Sequence, residues 1–284
     1  MRGQYVRVRR GYLDFDDGQL HYREARPPAG VPTRTPIVCL HQTPTSSLEF
    51  EPLMREFATD RVVVALDTPG YGGSDGPREP QGIDDYAGRL AQAMVRLGFG
   101  DGPTGRAVLF GYHTGAVLAA QLALAHTGLV DGIVLHGFPL RTPEERRQRL
   151  DALPRHLDVE GYFAKVAGYY DMHVRKAPDS LSMFERTRTF SQDMVAGPDF
   201  WFSYHGVWTW PYEERLPRIA VPSLALAANE TLREATIATS RIIPGCELLE
   251  MPEVGGSASL RTQAAEIAAV VREFADRAGG RPRH

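Results

Sequence analysis

Cysteine is nearly absent from this chain, with only Cys39 and Cys246 among 284 residues. A disulfide framework is thereby excluded as the source of stability. Both cysteines fall in predicted strands and read as buried thiols in a reducing compartment, which makes a cytoplasmic location the expectation. Lysine is scarcer than the charge balance suggests, since Lys165 and Lys176 are the only two and arginine supplies the rest. The net charge of −3 shows no basic excess. It gives no reason to expect nucleic acid or an anionic membrane surface as a partner. Long hydrophobic runs are missing too. The longest, Ala116 to Ala125, reaches only about half a membrane span, and the amino terminus has no apolar core of the signal-peptide kind. No internal repeat or low-complexity tract is visible.

What is present is an alternation of short apolar strands with helical segments. Tyr5 to Phe15 and Leu20 to Glu24 alternate apolar with polar around Asp16-Asp17-Gly18, a hairpin signal. Buried strands are predicted at Pro36–Leu40 and Ala107–Phe110, and further strands at Arg61–Leu66, Val130–Leu135, Ser223–Ala228 and Glu247–Met251. Between them lie amphipathic helices, one carrying Phe50, Leu53, Met54 and Phe57, another Tyr86, Leu90, Met94 and Leu97. A helix is expected over Ala235–Ile243, and a last one places Leu260, Ala264, Ile267, Val271 and Phe274 on one face before a frayed tail from Ala278 to His284. Strand after helix after strand implies a parallel, doubly wound sheet that binds ligands beyond the carboxyl ends of its strands. The alternation stops from 140 to 217. This predicts a core of residues 1–139 and 218–284 with a helical cap inserted at 140–217.

The central stretch is Arg106 to Ala125, RAVLFGYHTGAVLAAQLALA. It reads as a buried strand, a turn at Gly111-Tyr112-His113-Thr114-Gly115 and a helix. Strand, glycine-flanked turn and helix are the context of a G-x-S-x-G nucleophile elbow, in which a Cβ at either glycine would strike the neighbouring backbone. His113 stands where that motif has serine. Histidine tolerates positive φ better than most residues, so the turn can form, but acyl-serine chemistry cannot occur there.

On these residues the chain resembles the α/β-hydrolase superfamily, in particular members with an inserted cap. The resemblance implies an α/β fold: a mostly parallel eight-stranded doubly wound sheet with a helical cap. Other motifs agree. His41-Gln42-Thr43-Pro44 is similar to the superfamily's H-G-x-P oxyanion turn, with Gln42 in place of glycine. The resemblance makes the Thr43 and Thr114 N–H groups, with Gln42 beside them, the expected contacts for a developing oxyanion. His41 reads as a brace for that loop. Asp67-Thr-Pro-Gly-Tyr-Gly-Gly-Ser-Asp75 matches the D-x-P-G-x-G-x-S-D loop, where Asp67 either orders the turn or lines the pocket.

The rest of the triad is displaced. Glu230 occupies the acid position after the strand that follows the cap, and Gly256 the histidine position after the last strand. No histidine occurs between His205 and His284. An imidazole on the elbow reaches into the space a triad histidine fills, and glycine at 256 leaves that space empty. The expectation is a His113–Glu230 dyad in which Glu230 fixes the tautomer and stabilises the imidazolium. His113 as inert filler, Glu230 as an ordinary loop carboxylate, and substitution by His41, His136 or His205 are the alternatives.

Phe200 to Tyr212 holds all three tryptophans and seven aromatics among thirteen residues. These rings either glue the cap to the core or line an apolar pocket, and Tyr112, His136, Tyr204, His205, Trp208 and Trp210 are the candidates for the pocket. A base and an oxyanion turn without an acylatable hydroxyl suit addition, elimination, isomerisation, or C–C bond formation or cleavage. The resemblance to members lacking the serine triad implies a specialised-metabolite tailoring enzyme acting on a small hydrophobic, aromatic or polyketide-like substrate. An ester or lactone hydrolase with His113 as base or nucleophile is the alternative, and an inactive binding protein the third. No metal, cofactor, nucleic acid or membrane is expected, and the chain is expected to be a monomer or homodimer.

Overall fold

A computed structural model describes residues 6–31, 33–102, 104–256 and 258–279. Eight strands form one sheet: β1 (Arg9–Phe15), β2 (Gly18–Ala25), β3 (Arg34–Leu40), β4 (Arg61–Leu66), β5 (Ala107–Tyr112), β6 (Val130–His136), β7 (Ser223–Asn229) and β8 (Glu247–Gly255). The spatial order is β1-β2-β4-β3-β5-β6-β7-β8, with β1 and β2 antiparallel and the remaining six parallel. This is the α/β-hydrolase sheet that the strand spacing and the motifs predicted.

Alternate strand residues feed two cores. Val38, Leu40, Val64 and Leu66 face α2 (Ile83–Arg96) and α3 (Thr114–Ala125), which follow α1 (Glu51–Phe57) in the chain. Ile37, Cys39, Val63 and Ala65 face α1 on the other side, and that layer is completed near the chain's end by Ile267, Val271 and Phe274. Both faces of β3 to β7 are therefore largely dry, which explains why they read as continuous apolar runs, whereas β8 at the sheet edge is mostly exposed.

Between β6 and β7 come α4 (Pro143–Asp151), α5 (Val159–Tyr170), a π-helical turn at Asp171–Arg175, α6 (Met183–Asp193), α7 (Phe202–Thr209) and α8 (Tyr212–Arg215). No strand interrupts them among the described residues. After β7 follow α9 (Arg233–Ser240), α10 (Ser259–Thr262) and α11 (Ala264–Gly279). No described helix is long and apolar enough to cross a membrane.

Several boundaries differ from the expectation. The final apolar face is split between α10 and α11, with Leu260 on the short helix and the other four positions on the long one. Ala278, expected in a frayed tail, is buried inside α11 because Gly132 in β6 leaves room for its methyl. The helix expected to begin at Ala235 starts at Arg233. Cys246 sits just before β8 and is half-buried, whereas Cys39 is fully enclosed. The predicted start of the hairpin at Tyr5 and the tail from Gly280 to His284 lie outside the described residues.

Candidate active site

The turn after β5 carries the strain that the sequence implies. His113 has φ 51° and ψ −110°, the only non-glycine residue with positive φ among those described. Its flanking glycines are enforced by contact. A Cβ on Gly111 would lie 2.3 Å from the Gly115 carbonyl oxygen, and one on Gly115 would lie 1.9 Å from that of Leu40. Such a conformation costs roughly 1–3 kcal/mol, and structures retain it where a side chain must be held at a fixed place.

That side chain meets Glu230, which lies immediately beyond β7. His113 Nε2 is 2.7 Å from Glu230 Oε2. Burial pushes the Glu230 carboxyl up, but the hydrogen bond and charge of His113 outweigh it and hold the group below its ordinary value. Glu230 is therefore a carboxylate, Nε2–H donates to it, and Nδ1 is the nitrogen left to accept a proton. The Tyr112 hydroxyl donates to the same Oε2 at 3.4 Å, while Oε1 is buried without a hydrogen-bond partner.

Gly137, in the left-handed region at φ +67°, closes the back of this pair. A Cβ there would fall 2.2 Å from Glu230 Oε1, 2.4 Å from His113 Cδ2 and 2.7 Å from Nε2. The Cδ2–Nε2 edge of the imidazole is thus packed against backbone, leaving the Nδ1–Cε1 edge as the free one. Gly256, also at positive φ, has nothing within 4 Å of the place a Cβ would take. It borders the same space.

A cavity of about 520 Å³ opens here, lined from the core by Gln42, Thr43, Glu49, Tyr112, His113, Glu230, Gly256 and Arg261. From the inserted helices come Tyr169, Met172, His173, Thr189, Asp193 and Tyr204. The walls mix aromatic surface with several ionisable groups.

The oxyanion-type turn is braced on every side. His41 Nε2 accepts the Thr68 N–H at 2.9 Å, so its Nδ1–H donates to the Gln42 carbonyl at 2.7 Å. Two backbone partners fix that tautomer, and burial lowers the imidazole's pKa. Asp67 orders the following loop, accepting N–H groups from Ser47 and Gly73 and a ring contact from His21. It does not line the cavity. Thr43 accepts the Tyr204 hydroxyl on its carbonyl at 2.9 Å, and its own hydroxyl is bonded to Ser203. Thr114 opens α3, where the first N–H groups have no partner inside the helix.

Five of the expected site residues are absent from the cavity wall, Thr114 among them as the buried first residue of α3. Trp210 is 2% exposed and its indole N–H donates to Gln121 on α3, so it fastens the insertion to the core. Trp208 lies under the Arg149 guanidinium on α4 and is likewise absent from the cavity wall. His136 is wholly enclosed behind Tyr112 and Phe110, where burial lowers its pKa to about 4 and both ring nitrogens lack partners. His205 follows Tyr204 on α7, about 100° around the helix, which turns it off the wall that Tyr204 joins. Gln42 reaches the cavity, but its backbone N–H and side-chain amide both donate to Glu49, at 3.1 Å each.

Sequence reading missed Glu49, His173, Asp193 and Arg261. Glu49 sits on the turn before α1, 7% exposed, and burial pushes its carboxyl up to about 8. His173 Nε2 is 2.7 Å from Asp193 Oδ2. No motif marks any of the four. Among the described residues no cluster of three or more His, Cys, Asp or Glu could hold a metal ion.

Comparison with known proteins agrees with this architecture. A family model described as alpha/beta hydrolase fold matches residues 35–167. The 2-(acetamidomethylene)succinate hydrolase of Mesorhizobium japonicum is 30% identical over 142 residues, 47% of this chain and 48% of that protein. Epoxide hydrolase 4 of Mus musculus is 28% identical over 137 residues, 48% of this chain and 34% of that one. The chain thus spans about half or less of the length of these curated relatives. The crystal structure of an enol-lactonase from Burkholderia xenovorans superposes with a TM-score of 0.76 at 18% identity, covering 93% of this chain and 99% of that one. The chain has the α/β-hydrolase fold, and residues 35–167 match the model of that family.

Proposed function

We propose that this chain is an enzyme whose base is His113, held by Glu230, and that it opens an ester or lactone by directing water onto the carbonyl. The observation that carries the reading is the 2.7 Å hydrogen bond between His113 Nε2 and Glu230 Oε2, with the opposite ring edge free. His113 Nδ1 takes a proton from water as the hydroxide adds to the carbonyl carbon. Glu230 stabilises the imidazolium. The N–H groups of Thr43 and Thr114 hold the oxyanion, and its collapse expels the alkoxide or enolate, which is reprotonated. The names of the relatives, a succinate-derivative hydrolase, an epoxide hydrolase and an enol-lactonase, favour hydrolysis over the non-hydrolytic chemistry expected from the sequence.

A second reading keeps the same base. The elbow offers neither hydroxyl nor carboxylate nucleophile, and this favours direct proton abstraction from carbon or phenol. Addition, elimination, isomerisation or C–C cleavage on an aromatic or polyketide-like substrate would follow. The insertion acts in either case as a cap that brings Tyr169 and Tyr204 to a flat hydrophobic ligand.

Three probes test this: dihydrocoumarin, p-nitrophenyl acetate, and deuterium exchange at the α-carbon of 2-tetralone. Lactone opening that falls by about 10²–10⁴-fold in His113→Ala, with an unchanged melting curve, is the expected result. Glu230→Gln falls in the same direction. Exchange without hydrolysis selects the second reading. A wild-type rate in His113→Ala refutes the base, and inertness on all three probes makes the chain a binding protein.

A further inference from the structure

The cavity contains a second histidine–carboxylate pair that the dyad does not use. His173 lies on the π-helical turn after α5, a backbone irregularity found disproportionately at functional sites. Its ring stacks on Tyr169, with centroids 6.1 Å apart and planes inclined by 11°. Its Nε2 is 2.7 Å from Oδ2 of Asp193, the last residue of α6. Asp193 is 3% exposed, and its other oxygen, Oδ1, is buried with no hydrogen-bond partner. A half-satisfied buried carboxylate is costly, and apolar residues would join two helices as well. Both side chains line the same cavity as His113 and Glu230. One pair comes from the carboxyl ends of the strands, the other from the insertion.

We propose that His173 is a second proton-transfer group of this site, the acid that protonates the leaving oxygen, with Asp193 as its positioning residue. The inference rests on His113 being the base. His113 presents a single free edge, so the proton it takes from water is returned by the same nitrogen only if the leaving oxygen comes to that edge. A separate acid removes this constraint. Water gives its proton to His113 Nδ1 and its hydroxyl to the acyl carbon. The carbon–oxygen bond breaks, and the leaving oxygen takes the proton of protonated His173. Solvent then removes the proton from His113 and returns one to His173, so the net reaction is lactone plus water to hydroxy acid. The substrate class is accordingly one with a poor leaving group, an alkyl or enol lactone, whose leaving oxygen points at the insertion.

The charged and titratable groups around His173 are Asp193 and Arg186 from α6, Tyr169 and the Lys165 that lies over its ring from α5, Tyr204 from α7, and Arg261 and Glu49 across the cavity. Asp171, Arg175 and Lys176 on its own turn pair with one another. Arg261 is bonded to Thr189 and keeps a buried Nε without a partner, which ties it to the same polar wall.

His173→Gln and Asp193→Asn are measured beside His113→Ala on δ-valerolactone and p-nitrophenyl acetate, across pH 5–9. His173→Gln is expected to lower kcat on the lactone by about 10–100-fold with little change in KM. On p-nitrophenyl acetate, whose leaving group needs no acid, the variant keeps a near wild-type rate. A merely structural tie would depress both substrates alike, and that outcome overturns the proposal, as does an unchanged lactone rate. Asp193→Asn follows His173→Gln with a smaller loss. Should His113→Ala keep its rate while His173→Gln loses it, the base assignment fails. Should only His113→Ala lose activity, the second pair alone is wrong. A wild-type protein inert on both substrates sinks both.

Discussion

Gly137→Ala is the sharpest probe of how the dyad is held. Two costs are separable. Alanine at φ +67° adds about 1–2 kcal/mol of backbone strain, which for a domain of this size lowers Tm by roughly 2–8 °C. The second cost is steric and local. The new methyl would sit 2.2 Å from Glu230 Oε1 and 2.4 Å from His113 Cδ2, so carboxylate and imidazole must move apart. A displacement of roughly 1 Å takes the 2.7 Å hydrogen bond beyond bonding distance and lowers turnover about 10²-fold, equivalent to about 2.7 kcal/mol. Gly245→Ala is the control. Its φ is +65° and nothing lies within 4 Å of a Cβ there, so it bears the same backbone cost without touching the dyad. Thermal melts and lactone opening on both variants separate the costs, and the downfield His113 Nε2–H resonance in the NMR spectrum reports the bond itself. A melting loss larger in Gly137→Ala than in Gly245→Ala, with activity lost only in Gly137→Ala, is the expected pattern. A Gly137→Ala protein that keeps both resonance and rate would refute the packing of that ring edge.

Two further outcomes concern buried groups beside the site. Glu49 has a folded-state pKa near 8, above its unfolded value, so the folded chain binds more protons and stability is greatest at low pH. That stability is lost as pH rises from about 5 through 8, at up to about 1.4 kcal/mol per unit. Chemical denaturation of Glu49→Gln is expected to lack that slope, and a slope equal to wild type would show that Glu49 ionises freely. His136 has the opposite sign. Its folded pKa near 4 lies below the unfolded value, so its contribution is complete above about 6.5 and is lost as pH falls through 4. His136→Phe removes two unpartnered nitrogens and is expected to gain about 1 kcal/mol at pH 7, more at pH 5, with kcat unchanged. A large loss of kcat would place His136 in the proton path after all.

The fold was legible because parallel strands buried on both faces write themselves as short apolar runs, and because the elbow's glycines are dictated by backbone contact. Leu40 and Gly115 lie far apart in sequence, yet a Cβ at 115 would fall 1.9 Å from the Leu40 carbonyl oxygen, and only glycine satisfies that approach. The contact between His113 and Glu230 was legible through the same motifs. The aromatic cluster was only half readable. Tyr204 reaches the cavity and Trp210 clasps α3, although both belong to one run of rings, because composition carries no information on which helical face turns inward. Glu49, His173, Asp193 and Arg261 were invisible for a related reason. Their meeting depends on how the inserted helices settle over the sheet, and no local spacing encodes it.

The vacancy at Gly256 and the crowding at Gly137 are two sides of one geometric fact. An imidazole carried on the last loop would approach Glu230 from the side of residue 256, where a Cβ today meets nothing within 4 Å. Carried on the elbow, it approaches from residue 113 and presses its Cδ2–Nε2 edge onto the turn after β6, so that turn has no room for a side chain. The acid stays where β7 delivers it, and the ring's attachment changes. Moving that attachment also turns the ring, so that Nε2 faces the carboxylate. In a Ser-His-Asp triad the carboxylate holds Nδ1 and Nε2 does the chemistry. That Nε2 rather than Nδ1 meets the carboxylate follows from the backbone, because a side chain rooted at the bend points its far end outward to Glu230.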